Sequence, residues 1–239
     1  MTARADLHLH SRHSARSAEW LLRRFDVPDS CSEPRALYDR LRARGMDFVT
    51  LTDHNEIGGC LEIADLPGVF LSEEVTAYFP EDRAKIHILV WGITEAQHRE
   101  IGGARQNLFD LQRLLAEQGI AHAVAHPLYR LDSLFSTSHL EQLILLFRHF
   151  EVVNGLRHHQ LGDTLRFALE RLTPDPYARS EPAEWRADTA KASCLVCLLV
   201  WSGPLSRAVW SSGSVPRARG AASGRLVGRR SQMGCGKCP

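Results

Sequence analysis

Acidic residues stop at Asp188 and histidines stop at His159, although the chain runs to 239 residues. Residues 1–188 carry 28 Asp and Glu against 21 Lys and Arg, a charge of −7, whereas the last 51 residues carry eight Lys and Arg and no acid, a charge of +8. The total of +1 thus hides two compositions joined end to end, and it excludes a global field aimed at nucleic acid or membrane. Long hydrophobic runs are missing too. The longest, Cys194 to Trp201, has eight residues, far short of the roughly 20 that span a bilayer. Cysteine is scarce before the tail: only Cys31 and Cys60 occur in the first 188 residues. That excludes a disulfide scaffold and makes a reducing cytoplasm the default location. The polar stretch Met1 to His10 shows no signal peptide or transit sequence. What remains, 44% hydrophobic and 24% charged residues, is the composition of a soluble globular enzyme.

Strand and helix signals alternate along the first 172 residues. Residues 3–9, 47–53, 68–76, 85–91, 120–125 and 150–153 read as strands from their β-branched, aromatic and apolar content. Helices are expected over 33–45, stopped by Gly45, over 94–118, stopped by Gly119, over 139–149 and over 160–172. The alternation predicts a parallel α/β architecture, open sheet or barrel. From about Thr173 the pattern decays, and beyond Asp188 Pro, Gly, Ser, Arg and Trp dominate with no sustained period. The expected organisation is a domain over 3–172, its degraded end over 173–188, and an irregular tail over 189–239.

All 12 histidines lie in the patterned part, many at strand ends, where α/β enzymes place their sites. Asp6-Leu-His8-Leu-His10 ends the first strand, and residues two apart on a strand share a face, so His8 and His10 can grip one ion. Thr52-Asp53-His54-Asn55 ends the second strand, Glu73-Glu74-Val75-Thr76 closes the third, His87 lies in the fourth, and Ala125-His126-Pro127 ends the next. Each has a plain structural reading on its own. His87 can be a satisfied interior histidine, His126 a strand terminator, Asp6 a surface charge or the partner of an imidazole, and Glu73 or Glu74 a solvated strand end. Five such groups in order along one βα chain point instead to a zinc, manganese or iron site, in which a bridging carboxylate can hold two ions.

These ordered motifs, Asp-Leu-His-Leu-His-Ser (6–11), Thr-Asp-His-Asn (52–55), Glu-Glu-Val-Thr (73–76), His87 within Lys-Ile-His-Ile-Leu, and Ala-His-Pro (125–127), resemble those of the PHP domain, the polymerase and histidinol phosphatase superfamily. The resemblance covers about residues 3–172. It extends to the PHP proteins that carry Glu-Val-Thr-x-Tyr-Phe-Pro-Glu-Asp, here Glu74 to Asp82. It implies a distorted (β/α)7 barrel with up to three divalent metal ions (Zn, Mn or Fe) in its mouth, hydrolysing phosphate esters with a metal-activated hydroxide. By the same resemblance His8 and His10 hold the first ion, and Glu74, preferred over Glu73, bridges it to a second that His87 and His126 complete. His54 binds the third, with His13. His8, His10, Glu74 and His54 form the implied catalytic set, and the implied substrate is a phosphorylated small molecule or nucleotide. PHP domains attached to polymerases or glycosyltransferases give the alternative, a non-catalytic accessory or binding module.

One departure bears on all of this. The family closes its site with a late Asp-x-His motif that supplies an Asp to the first ion and a His to the third, and none follows Ala125-His126-Pro127. The expectation is a barrel incomplete at its C-terminal side, with impaired activity. The acid-free tail reads as out-of-frame translation or an unrelated replacement of the true C terminus. Two readings stand beside that one. Cys194-x2-Cys197 and Cys235-x2-Cys238 could hold a structural zinc, although 37 residues separate the pairs against the roughly 15–20 of a zinc ribbon. The tail's cations could also contact nucleic acid, with no periodic scaffold to present them. Oligomeric state is not legible.

Overall fold

The computed structural model describes residues 3–14, 24–25, 29–155, 159–171 and 199–200. The region expected over 173–188, both Cys-x2-Cys pairs and nearly all of the tail lie outside the described residues.

The elements run β1 (Ala5–Asp6), α1 (Pro34–Ala43), β2 (Phe48–Val49), α2 (Gly58–Leu61), β3 (Ser72–Tyr78), β4 (Lys85–Trp91), α3 (Glu95–Ala104), α4 (Leu108–Glu117), β5 (Ala121–Val124), α5 (Thr137–Leu146), β6 (Glu151–Val153), α6 (His159–Arg171) and β7 (Leu199–Val200). Neighbours in sequence are neighbours in space. β1 pairs with β2 in parallel, and parallel bridges at Val49–Val69 and His54–Glu74 lead on to β3. β4 lies antiparallel to both β3 and β5, and a parallel bridge at Val124–Phe150 joins β5 to β6, which pairs in parallel with β7.

One expectation needs correction here. The sheet is mixed rather than all-parallel, because only Phe79 to Ala84 separate β3 from β4, too short a link for the helical crossover that parallel neighbours require. In keeping with the barrel expected to be incomplete at its C-terminal side, no pairing joins β1 to β7 among the described residues. Within the tail expected to be irregular, Leu199–Val200 of the apolar Cys194–Trp201 run supply β7.

The period of two along β4 sorts its residues. Ile86, Ile88 and Val90 face the main core with Val75, Ala77 and Val124, under Ile101, Leu108, Leu111 and Leu115 of α3 and α4, Leu143 of α5, and Leu165 and Leu169 of α6. His87, Leu89 and Trp91 face the other way, where Leu89 and Trp91 join Ala5, Leu7, Ala123 and Ala125 in a small inner cluster. Trp91 Nε1 donates to the Leu7 carbonyl at 2.8 Å, so the buried indole is satisfied and ties β4 to the chain after β1. A third cluster packs Leu37, Tyr38 and Leu41 of α1 on Val49, Leu51, Cys60 and Ile63. Helices thus cover one face of the sheet, and the inner face is left with a small apolar cluster and a polar end.

The single helix expected over 94–118 is two. Thr94 and Gln97 form a capping box that starts α3, and Gly102-Gly103 weaken its last turn. Asn107 then leaves helical geometry and its side chain accepts the Phe109 N–H, starting α4. The break lets Arg105 reach Asn55 Oδ1 at 2.9 Å, beside the His54 bridge to β3. Loss of this cap in Asn107→Ala is expected to cost about 1 kcal/mol of stability. Denaturant unfolding of the two chains side by side checks it; an unchanged midpoint would mean that the cap is dispensable.

Candidate metal centre

Glu74 sits in the middle of β3 with no solvent exposure, on the inner face of the sheet. Five imidazoles surround its carboxylate. His87 Nδ1 lies 2.9 Å and His126 Nε2 3.0 Å from Oε1. On the Oε2 side are His54 Nδ1 at 3.1 Å, His10 Nε2 at 3.2 Å and His8 Nε2 at 3.3 Å. The neighbouring Glu73 points to the opposite face, as alternation along a strand requires, and meets His98 Nδ1 at 3.0 Å.

Each imidazole arrives from a different local device. His8 and His10 lie beyond β1, which is shorter than the strand expected over 3–9. The chain stays extended there because Thr52 N–H donates to the Leu9 carbonyl and Leu9 N–H donates to Thr52 Oγ1. The next turn is pinned by Asp53, which accepts both the Ser11 N–H at 2.6 Å and the Ser11 hydroxyl at 2.7 Å. His54 follows β2 at the parallel bridge to Glu74, and His87 faces Thr76 across the β3–β4 ladder. His126 follows β5 with φ of +29°, a conformation uncommon for a non-glycine residue.

His126 Nε2 is hydrogen-bonded to Glu74 Oε1, but bonding in the cluster is incomplete. Glu74 Oε2 and the Nδ1 atoms of His54, His87 and His126 are buried and make no hydrogen bond among the described residues. Unsatisfied buried polar atoms are costly and rare in folded proteins. Three of them, Glu74 Oε2 and the Nδ1 atoms of His54 and His87, face one another across the cluster and suit a shared ligand. Two sets have ligand atoms within 4.8 Å of one another: His8, Glu74 and His126, all buried, and His10, His54 and Glu74. Glu74 belongs to both. The two sets adjoin: His8 Nε2 and His10 Nε2 lie 3.2 Å apart, both beside Glu74 Oε2, so the pair that the resemblance assigns to the first ion is also brought together. The His8 and His126 ring centroids are 5.8 Å apart.

The electrostatics of Glu74, His54 and His126 suit cation binding. Burial works against ionised Glu74, yet His87, His8 and His54 hold its carboxyl well below the usual carboxylate range. Burial pushes His54 well below, and His126 below, the ordinary imidazole value, which favours the neutral form that a ligand must have. For His8, burial is outweighed by Glu151 and Glu74, which raise it well above that value.

His13, the remaining predicted ligand, is not brought to this centre. Its Nε2 lies 2.8 Å from Glu62 Oε1, in neither ligand set. Two acids that the sequence reading missed do approach. Glu151 Oε1 lies 2.9 Å from His8 Nδ1. Asp29 Oδ2 lies 3.8 Å from His54 Nε2 and 3.9 Å from His10 Nδ1. The signal for Glu151 was a lone acid inside the apolar strand 150–153, followed by Asn154; Asp29 sits in a loop with no pattern to single it out.

No protein-family model matches the chain. Over 72 residues it is 38% identical to an uncharacterized protein of Methanocaldococcus jannaschii, MJ1587, a match that spans 30% of this chain and 40% of that protein. Two solved structures are similar to it at low identity. One is an amidohydrolase from Chromobacterium violaceum with bound sulfate, 17% identical, covering 71% of this chain and 84% of that one, with a TM-score of 0.46. The other is a two-domain protein from Bacteroides vulgatus containing a predicted PHP-like metal-dependent phosphoesterase, 15% identical, covering 71% and 49%, with a TM-score of 0.45.

Among the described residues the buried His and Glu groups are able to hold a divalent cation. His10→Ala and His126→Ala each remove a donor from a different set. Each is expected to weaken one zinc-binding step by more than the ~10–100-fold that follows loss of an orienting group. Calorimetric titration of the metal-stripped chain measures it, and parent affinity in both variants would contradict the grouping.

Proposed function

We propose that the chain is a metal-dependent phosphoesterase of PHP type. The observation that carries this reading is the division of one buried carboxylate, Glu74, between two sets of imidazoles, with its Oε2 left unbonded among them. The five ordered motifs that resemble the PHP family supply all five imidazoles, His8, His10, His54, His87 and His126, as well as Glu74.

The residues fit the ions that the resemblance implies. His8, Glu74 and His126 would hold one and His10, His54 and Glu74 another, with His87 beside Glu74 Oε1; imidazole and carboxylate donors suit zinc, manganese and iron. Bound there, such ions lower the pKa of water and stabilise negative charge on phosphoryl oxygens. The protein's share of the work is preparatory. Its imidazoles keep Glu74 ionised, Asp53 and Ser11 fix the turn that carries His10, and the inner apolar cluster excludes water from below. A cavity of about 230 Å³ adjoins His126 and Glu151 and runs to α6, with Tyr129, Asn154, His159 and Arg166 on its polar wall. Arg166 is ion-paired there with Asp163, and the size of the cavity suits a phosphorylated small molecule, with a nucleotide as the larger candidate.

A second reading has one observation in its favour: no Asp-x-His motif follows His126, so the donors that complete the family's centre are missing from this chain. That favours a PHP-type binding or accessory module.

The assay is hydrolysis of p-nitrophenyl phosphate and bis-p-nitrophenyl phosphate by the full chain supplied with manganese or zinc. Expected are turnover that a chelator abolishes and added metal restores, and a fall of at least about 100-fold in kcat for His10→Ala, the scale of a lost transition-state charge stabiliser. Turnover indifferent to chelation would overturn the proposal. Metal binding without turnover across a wider panel of esters would establish the module instead.

A further inference from the structure

Glu151 stands directly behind the centre on β6, 3% exposed and in neither ligand set. Both of its oxygens are committed. Oε1 lies 2.9 Å from His8 Nδ1, and Oε2 accepts the backbone N–H of His126 at 2.8 Å. The Asn154 side-chain amide approaches each oxygen at 3.3 Å. A buried carboxylate is tolerated only where such partners replace its water.

The two groups that it holds come from different parts of the chain, His8 after β1 and His126 after β5. Both present Nε2 to Glu74, at 3.3 Å and 3.0 Å. For His8 to offer the Nε2 lone pair, its ring proton must sit on Nδ1, where Glu151 Oε1 can accept it. For His126, the left-handed backbone that turns the ring toward Glu74 has its N–H fastened to Glu151 Oε2.

We infer that Glu151 is the positioning residue of the centre, fixing the tautomer of His8 with one oxygen and the turn of His126 with the other. The set formed by His8, Glu74 and His126 is then pre-arranged by a single carboxylate that touches no ligand atom of that set. This rests on the reading of the cluster as a metal centre.

Two measurements on the full chain test it. Nitrogen-15 spectra of labelled histidine, with His8 assigned from a His8→Asn variant, report which ring nitrogen of His8 carries a proton. A proton on Nδ1 is expected in the parent and in Glu151→Gln, whose carbonyl still accepts, and mixed tautomers are expected in Glu151→Ala. Zinc titration is expected to show about 10–100-fold weaker binding in Glu151→Ala, the range for loss of such partners, with Glu151→Gln in between. A parent spectrum with His8 Nδ1 unprotonated overturns the inference whether or not either Glu151 variant folds. So does a folded Glu151→Ala that binds zinc as tightly as the parent, which leaves the metal-centre reading standing. A parent that binds no zinc overturns the metal-centre reading and this inference together.

Discussion

A carboxylate without solvent exposure is held among five imidazoles, and the architecture around it follows from the cost of keeping it there. Removing one partner from a buried charge pair typically costs about 3–5 kcal/mol, because the other charge is left uncompensated. Glu74 can stay ionised only while the imidazoles from the chain after β1, β2 and β5 and from β4 converge on it. That demand fixes register: Glu74 opposite Leu89 and Thr76 opposite His87 place both functional side chains on the inner face, and a slip by one residue would turn both outward.

The opposite face of the same strands meets the ordinary demand of burial. Val75, Ile86, Ile88 and Val90 are covered by four helices, so the sheet is anchored from outside while its inner face holds the small apolar cluster and the histidines. Trp91 bridges that inner face to Leu7 and holds the chain that leads to His8. Rigidity at the base and convergence at the polar end are thus two consequences of one alternating pattern.

Much of this was legible in the sequence because alternation and strand-end histidines are local signals. His8, His10, His54, Glu74, His87 and His126 could be picked out from motif order, and all six lie in one cluster. Glu73 could be set aside from its neighbour only by motif, and the strand geometry gives the reason, since adjacent residues face opposite ways. What escaped depends on contacts distant in sequence. Glu151 meets His8 across 143 positions, and nothing in residues 150–153 says which oxygen finds which partner. The break at Asn107 escaped because the apolar period of 94–118 continues through it, while the cap that interrupts the helix is a single side-chain hydrogen bond. The antiparallel course of β4 was readable only from the short link after β3, and the pairing of Leu199–Val200 with β6 had no motif to announce it. No described helix is long and apolar enough to cross a membrane.

The central claim is that one carboxylate serves both ligand sets, and the metal content of Glu74→Ala beside the parent tests it most directly. Both chains are stripped of metal, equilibrated with zinc, freed of excess and measured for bound metal per folded chain. The account predicts zinc retained by the parent and lost from both sets at once in Glu74→Ala. A folded Glu74→Ala that keeps the parent's zinc content would contradict it, as would a parent that retains none.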